Sequence, residues 1–475
     1  ITQSAGGVLT ITNGTLDLNS FQFNSGADLN LSSGTGTLTI GGGTFNGTGY
    51  NISQSNGIIN QTTGALNCNN FTQTGGTYNI TGNGTINIAN NFSQTGGTVS
   101  ITASPTFNIT NDFSQTGGSF TANSSNINIG NDFTLSGAYT FNANTSTISV
   151  SGNVSISGAT FNCGTGTIVM TGAANKTLSS NQNLYNLTIN STATKTLSTN
   201  ITQSAGGVLT ITNGTLDLNG NTLTLGANFT QSAGTLIIGS GTFNGGSAYN
   251  VTINTGATVN QTTGALNCNN FSVNGTATWT ITGGPTLNIA GDTTIVSPNW
   301  NAGSSTINMT GAAKSINASS SLYHLNITGT VTINTNNLDI NGNLTISGTF
   351  NANTQDISIA GNFEIIGAGV FNASTRKVTF DGAGDQIFRL RISSFYDIEI
   401  NKTAGSVNLT GTDLTINRDF TITSGTFDTK TQNITITRNF IINGGSFIPN
   451  NQTVTFTGAV DSTFKTNNSS FWNIV

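Results

Sequence analysis

Residues 69–135 read NNFTQTGGTYNITGNGTINIANNFSQTGGTVSITASPTFNITNDFSQTGGSFTANSSNINIGNDFTL, and their rhythm decides the fold. An Asn/Asp-Phe pair recurs with its aromatic at Phe71, Phe92, Phe113 and Phe133, with Val154 next, so the steps are 21, 21, 20 and 21 residues. The same rhythm returns near the C-terminus. There Phe420 and Phe440 lie 20 residues apart and are trailed by Phe427 and Phe447. Each step holds two or three short strands of the Thr-Ile-Asn-Ile type, joined by Thr-Gly-Gly or Ser-Gly-Ala corners. A period near 20 with that content is too short for a propeller blade and suits one turn of a solenoid.

Working outward, a longer period appears. Residues 1–19, ITQSAGGVLTITNGTLDLN, recur unchanged at 201–219, and NQTTGALNCNNF at 60–71 returns at 260–271. A unit of about 200 residues was copied. The organisation expected is repeat unit 1 over 1–200, a partial duplicate over 201–355, and a more charged section of the same solenoid over 356–475. Of the charged residues, 10 fall in 1–355 and 19 in 356–475. The chain opens in mid-repeat without a signal peptide, so a piece of something longer is expected.

Composition agrees with strands. Charged residues make up 6%, Gly numbers 60 and Pro only 4, while 35% of residues are hydrophobic in regular alternation, more than a disordered linker carries. The sequence therefore predicts an all-β, right-handed parallel β-helix (β-solenoid) of about 20–21 residues per coil and roughly 23 coils, on the order of 110 Å long. Stacking explains the missing charge. Like charges repeated coil on coil would stand about 4.8 Å apart and repel by roughly 1 kcal/mol per pair even in water. Neutral Asn, Thr and Ser form hydrogen-bonded ladders instead, with Phe71, Phe92, Phe113, Phe133, Phe420 and Phe440 forming an inner stack.

A second module recurs at Met170–Ile189, Met309–Ile327, Phe380–Ile400 and Phe456–Ile474. Its pattern is Phe/Met-x-Gly-Ala, a polar stretch, then an aromatic in a short strand. It is expected to be a coil with a longer lateral loop anchored by that aromatic.

Few residues offer chemistry. Net charge is −5 with no basic stripe, which argues against nucleic-acid partners, and no apolar run is long enough to span a membrane. His324 is the only histidine, so sites built on histidine pairs or on a Ser-His-Asp triad are not expected. Cys68, Cys163 and Cys268 lack metal-ligand spacing, and Cys68 and Cys268, at the same place in the copied segment, read as small buried side chains. No metal, cofactor or catalytic residue is predicted. The densest charged patch is Asp381, Asp385, Arg389, Arg391, Asp397 and Glu399. Because Asp397 fills the slot of Asn186, His324 and Asn473, the patch reads as a solvated face. Asn-x-Ser/Thr triplets, among them Asn13, Asn70, Asn91, Asn153, Asn228, Asn343 and Asn433, would permit N-glycosylation.

The coils GNLTISGTFNANTQDISIAGNF at 342–363 and RDFTITSGTFDTKTQNITITRNF at 418–440 resemble the β-strand-repeat regions of very large prokaryotic surface and secreted proteins. That resemblance implies adhesins, stalks, sheaths and extracellular fibres, with no shared catalytic residues. The expectation is a non-enzymatic building block of an extracellular filament, sheath or cell-surface layer whose main partner is itself, with surface glycans as a further partner class. The alternatives are the stalk of a surface adhesin and, ranked lower, a carbohydrate-active β-helix.

Overall fold

The computed structural model describes every residue, Ile1–Val475. It contains sixty short strands and no helix. The strands stack in parallel as a β-solenoid of about 22 turns with about 21 residues per coil. The chain forms two compact units: Ile1–Phe229 with Ala233–Ile237, and Thr230–Ser232 with Ile238–Val475. The copied segment at 201–219 thus belongs to the first unit.

Alternation puts the apolar residues inside. In Thr85–Ile88, Ile86 and Ile88 are buried while Thr85 and Asn87 face outward, as period-two strands require. The segment pairs in register with Thr106–Ile109, which pairs with Asn126–Ile129. Outward asparagines then lie one over another. Asn87 donates from Nδ2 to Oδ1 of Asn67 at 2.8 Å, Asn108 to Asn87 at 2.8 Å, and Asn128 to Asn108 at 2.9 Å. The second unit repeats the ladder through Asn267, Asn288, Asn308 and Asn326.

Aromatic columns run along the core of each unit. Phe71 pairs with Phe92, Phe92 with Phe113, and Phe113 with Phe133, with ring centroids 5.5, 4.8 and 5.2 Å apart. In the second unit Phe420 sits 5.5 Å from Phe440. All six rings are buried.

A polar column accompanies the first of these. Gln54, Gln73, Gln94 and Gln115 are fully buried, each two residues beyond an inward aliphatic or aromatic residue. Burying an amide is tolerable only when it is hydrogen-bonded. Gln94 Nε2 faces Gln73 Oε1 at 2.9 Å, Ser119 O at 3.1 Å and Gly97 O at 3.4 Å, the last belonging to its own corner. The next coils replace the glutamine with Leu135 and then Ile156, in the same register.

The Gly-Gly corners exist because coils stack closely there. Gly97 has φ +74°, and a Cβ on it would lie 2.6 Å from Gly75 O and 2.8 Å from Gly76 O. Both conflicts are with backbone, which cannot rotate away. Gly97→Ala is expected to destabilise by about 1–3 kcal/mol. Chemical denaturation checks this, and an unchanged midpoint would mean that the corner can relax.

The second module joins a long step to a short one: its central strand lies 24, 23 and 25 residues beyond its partner in the preceding coil, Val154 to Leu178, Thr293 to Ile316 and Phe363 to Phe388, so the longer excursion expected precedes that strand. Met170 pairs with Ile189, Met309 with Ile327 and Phe380 with Ile400, nineteen, eighteen and twenty residues on. Its polar stretch is itself a strand, at Lys176–Ser180, Lys314–Ala318 and Gln386–Arg389, aiming Leu178, Ile316 and Phe388 inward. The residues sealing the coil are Leu184, Leu322 and Phe395, all buried. The neighbouring aromatics Tyr185, Tyr323 and Tyr396 are half-buried, so they lie against the surface rather than anchoring a loop.

Candidate functional site

The charged section 356–475 was the only sequence-level candidate, and all six ion pairs of the structure fall within it. They run between neighbouring coils, apart from two local contacts. Glu364 and Arg389 are register partners with a 3.3 Å contact, and Lys377 reaches Glu399 at 2.6 Å. Glu399 also accepts from the Thr423 hydroxyl at 2.8 Å. Although partial burial works against ionisation of Glu399, these hydrogen bonds and the Lys377 charge hold its carboxyl below the usual range. Opposite charges on successive coils avoid the repulsion that keeps charge out of the rest of the chain.

Asp397 corrects the expectation of a solvated face. It is 7% exposed, it binds the Arg418 guanidinium through both oxygens, with Nε at 2.7 Å, and its Oδ1 accepts the Asp419 N–H at 3.1 Å. At three of its positions this slot accepts a backbone N–H from the next coil. Asn186 Oδ1 accepts from Val208 at 3.0 Å, and His324 Nδ1 accepts from Asn343 at 2.9 Å. As an acceptor at Nδ1, His324 is a neutral imidazole protonated at Nε2, in keeping with burial lowering its pKa.

The rest of the patch is divided the same way. Asp385 accepts the Ser406 N–H at 2.8 Å and hydroxyl at 3.0 Å, which lowers its pKa. Asp381, half-buried, is pushed up by burial and then by the charge of Asp339. Arg391 is exposed. Nowhere do three or more His, Cys, Asp or Glu side chains cluster as metal ligands would.

Two lysines that look like surface residues in the sequence are interior. Lys195 and Lys402 are 0% and 1% exposed. Lys402 Nζ donates to Gly382 O and Gly384 O, both at 2.8 Å, and to Gln386 Oε1; Lys195 Nζ donates to Ala174 O at 2.8 Å and Gly172 O at 3.3 Å. Both ammonium groups sit on the Gly-Ala turn of the second module, reached from different positions in the following coil. Burial lowers both pKa values, and the neighbouring Lys176 lowers that of Lys195 further.

Several triplet asparagines serve as corner rungs. Asn70 Oδ1 accepts the Asn91 N–H and Asn91 the Asp112 N–H, each at 3.1 Å, while Asn153, Asn343 and Asn433 accept from Thr177, Asn362 and Thr453. The Nδ2 of Asn70, the atom a glycan would take, donates to Asn51, and those of Asn153 and Asn433 donate to Asp132 and Asp413. Asn13 and Asn228 are exposed, and Asn13 accepts from the Thr35 hydroxyl.

The three thiols differ in reach. Burial pushes Cys68 and Cys268 up to about 12, whereas Cys163 is half-buried with Sγ 3.4 Å from the Ser204 hydroxyl. The thiolate is the reactive form. One thiol per chain, that of Cys163, is therefore expected to react promptly with a thiol reagent at pH 8. Labelling of all three in the folded protein would contradict the buried placement.

A surface groove of about 800 Å³ lies in the second unit, lined by Asn372, Ile392, Ser394, Asp413 and Asn417 among others. Ile392 is 93% exposed. No family model, curated protein or solved structure matches the chain.

Proposed function

We propose that the protein is a non-enzymatic building block of an extracellular filament, sheath or cell-surface layer, assembling with copies of itself through the ends and faces of its solenoid. The observation that carries this reading is the continuous coil-on-coil ladder of outward side chains: Asn67, Asn87, Asn108 and Asn128 bond in one column and Asn267, Asn288, Asn308 and Asn326 in another, and four of the six ion pairs likewise join neighbouring coils. Regular faces of this kind present the same pattern many times over, which suits packing against copies of the chain.

Electron microscopy over a concentration series tests the proposal. Fibres or sheets growing with concentration are expected, whereas dispersed single particles at high concentration would sink it. A second reading, contact with surface glycans, is favoured by the groove around Ile392, which sets amide, hydroxyl and carboxylate groups beside an exposed aliphatic face. Co-sedimentation with insoluble polysaccharide, weakened by Ile392→Asp, is its expected signature, and equal sedimentation of both proteins would remove it.

A further inference from the structure

The second module cuts a corner of the solenoid, and does so the same way three times. In the coil before it, the buried pairs Phe161 and Ile168, Trp300 and Ile307, and Phe371 and Val378 are each seven residues apart. Each corner turns through a positive φ three residues past the aromatic, at Gly164 (+54°), Gly303 (+52°) and Ser374 (+52°). In the module the matching buried pairs, Leu184 and Leu187, Leu322 and Leu325, and Phe395 and Ile398, are only three residues apart. The wider corner below is therefore left uncovered. Thr160–Asn162, Trp300–Asn301 and Val370–Asn372 each pair with the preceding coil and with no strand of the following one. Residues two coils apart then face the same opening. Cys163 Sγ meets the Ser204 hydroxyl at 3.4 Å across 41 residues, and Asn372 and Asp413 line one groove. Each opening is a slot one coil, about 4.8 Å, in height.

What lines these slots is neutral and polar. Asn162, Asn181, Gln182, Asn183 and Ser204 line the first, about 440 Å³, which has no charged side chain. The third is the groove of Ile392, whose one charge, Asp413, already accepts from the N–H and Nδ2 of Asn433 at 2.8 and 3.2 Å. Both also hold an open amide carbonyl. Asn142 Nδ2 donates to the Thr121 hydroxyl and Asn162 Nδ2 to Asn142 Oδ1 at 2.6 Å, so Asn162 is the top rung of a ladder and its Oδ1 takes no bond from the protein. Asn351 and Asn372 repeat this on Thr332, again with a 2.6 Å top rung. In an unbroken ladder the next amide donates at that place, as Asn108 does to Asn87. A ligand in the slot must bring the missing donor. The middle slot differs, because Asn301 Oδ1 accepts the Gly303 N–H at 3.1 Å and the Trp300 ring N–H reaches Ser321 O at 3.2 Å.

We infer that the first and third slots each bind one ring of a neutral saccharide, with a sugar hydroxyl donating to Oδ1 of Asn162 or Asn372. A hydroxyl both donates and accepts, which suits an open carbonyl set among amides and serine hydroxyls. No lysine or arginine lines either slot, so nothing there holds a phosphate or a carboxylate. The wall is a corner turn behind a three-residue strand, too short an edge for an added peptide strand. The inference rests on the glycan reading of the Ile392 groove given above, and adds to it a second site and the atom that each offers.

Calorimetry of the full chain with soluble neutral oligosaccharides of glucose, mannose, galactose and N-acetylglucosamine tests it. One of these is expected to bind at two sites per chain. Asn162→Ala is expected to weaken one site about tenfold, Asn372→Ala the other, and the double variant both. Both side chains are exposed, and an unchanged thermal midpoint verifies that the fold survives. Asn301→Ala is expected to alter neither site, and a loss there equal to the others would overturn the assignment. A single site that is lost in Ile392→Asp and untouched by Asn162→Ala would overturn the paired slots and leave the glycan reading standing. Absence of binding to every oligosaccharide would overturn both. Asparagine variants that spare saccharide binding but shift the concentration at which fibres form would give the slots to a second copy of the chain, overturning the saccharide.

Discussion

Phe113→Ala should lose about 3–5 kcal/mol of stability, the range for deleting a fully buried aromatic whose cavity cannot close. The ring is 0% exposed and its centroid lies 4.8 Å from Phe92, 5.2 Å from Phe133, 5.3 Å from Phe120 and 5.9 Å from Phe141. Collapse would require these neighbours to shift, yet each is held by a strand locked in register above and below. Guanidinium denaturation measures the loss, and hydrogen exchange at Phe113–Thr121 reports it locally if the coils do not unfold together. Phe113→Leu keeps most of the volume and should lose much less. A loss below about 1 kcal/mol for the alanine would mean that the aromatic column is not tightly packed.

Gln94→Glu should be comparably severe, for an electrostatic reason. The side chain is fully buried, and its amide nitrogen faces three oxygens, those of Gln73, Ser119 and Gly97. A carboxylate there donates nothing and meets only acceptors, so several kcal/mol are expected to be lost at pH 7. The pH dependence fixes the mechanism. Burial among acceptors favours the neutral acid and raises the folded-state pKa of the introduced Glu above its unfolded value of about 4.3. Between those two values the folded state binds the extra proton, so stability falls as pH rises from about 4.3 through the folded pKa and returns on acidification. The unsubstituted protein lacks this group, so a difference between the two that stayed constant from pH 7 to 4 would refute the explanation.

What the sequence disclosed and what it hid divide along one physical line. Phe71, Phe92, Phe113 and Phe133 are large and apolar, so their spacing alone announces an inner column, and the outward Asn and Thr announce ladders. The glutamine column stayed hidden because Gln reads as surface. Its signal was present nonetheless, since the slot of Gln54, Gln73, Gln94 and Gln115 passes to Leu135 and Ile156 with no change of frame. The copied segments carry a second such clue. Tyr78 donates its hydroxyl to Gln61, and at the equivalent place Trp279 donates its ring N–H to Gln261 at 3.3 Å, so two different aromatics satisfy the same buried amide.

Charge was harder to place. Lys195, Lys402 and Asp397 look like solvent-facing residues when each coil is read alone. They are interior or nearly so because their partners, the Gly-Ala carbonyls and Arg418, sit in adjacent coils about twenty residues away in the chain. Single-coil patterning also missed the second module. A polar run such as Lys176–Ser180 looks like a loop until Leu178, its one apolar residue, is seen filling the core.

The one-coil spacing of every ladder has a kinetic consequence. A coil closes against its predecessor at a separation of about 21 residues, wherever in the chain it lies. The chain entropy spent in that closure grows only logarithmically with loop length, and here the loop never lengthens. Adding further turns therefore raises no new search barrier, since each finished turn templates the one that follows. Such a chain can acquire structure progressively from whichever end is first available, before its remote portion exists.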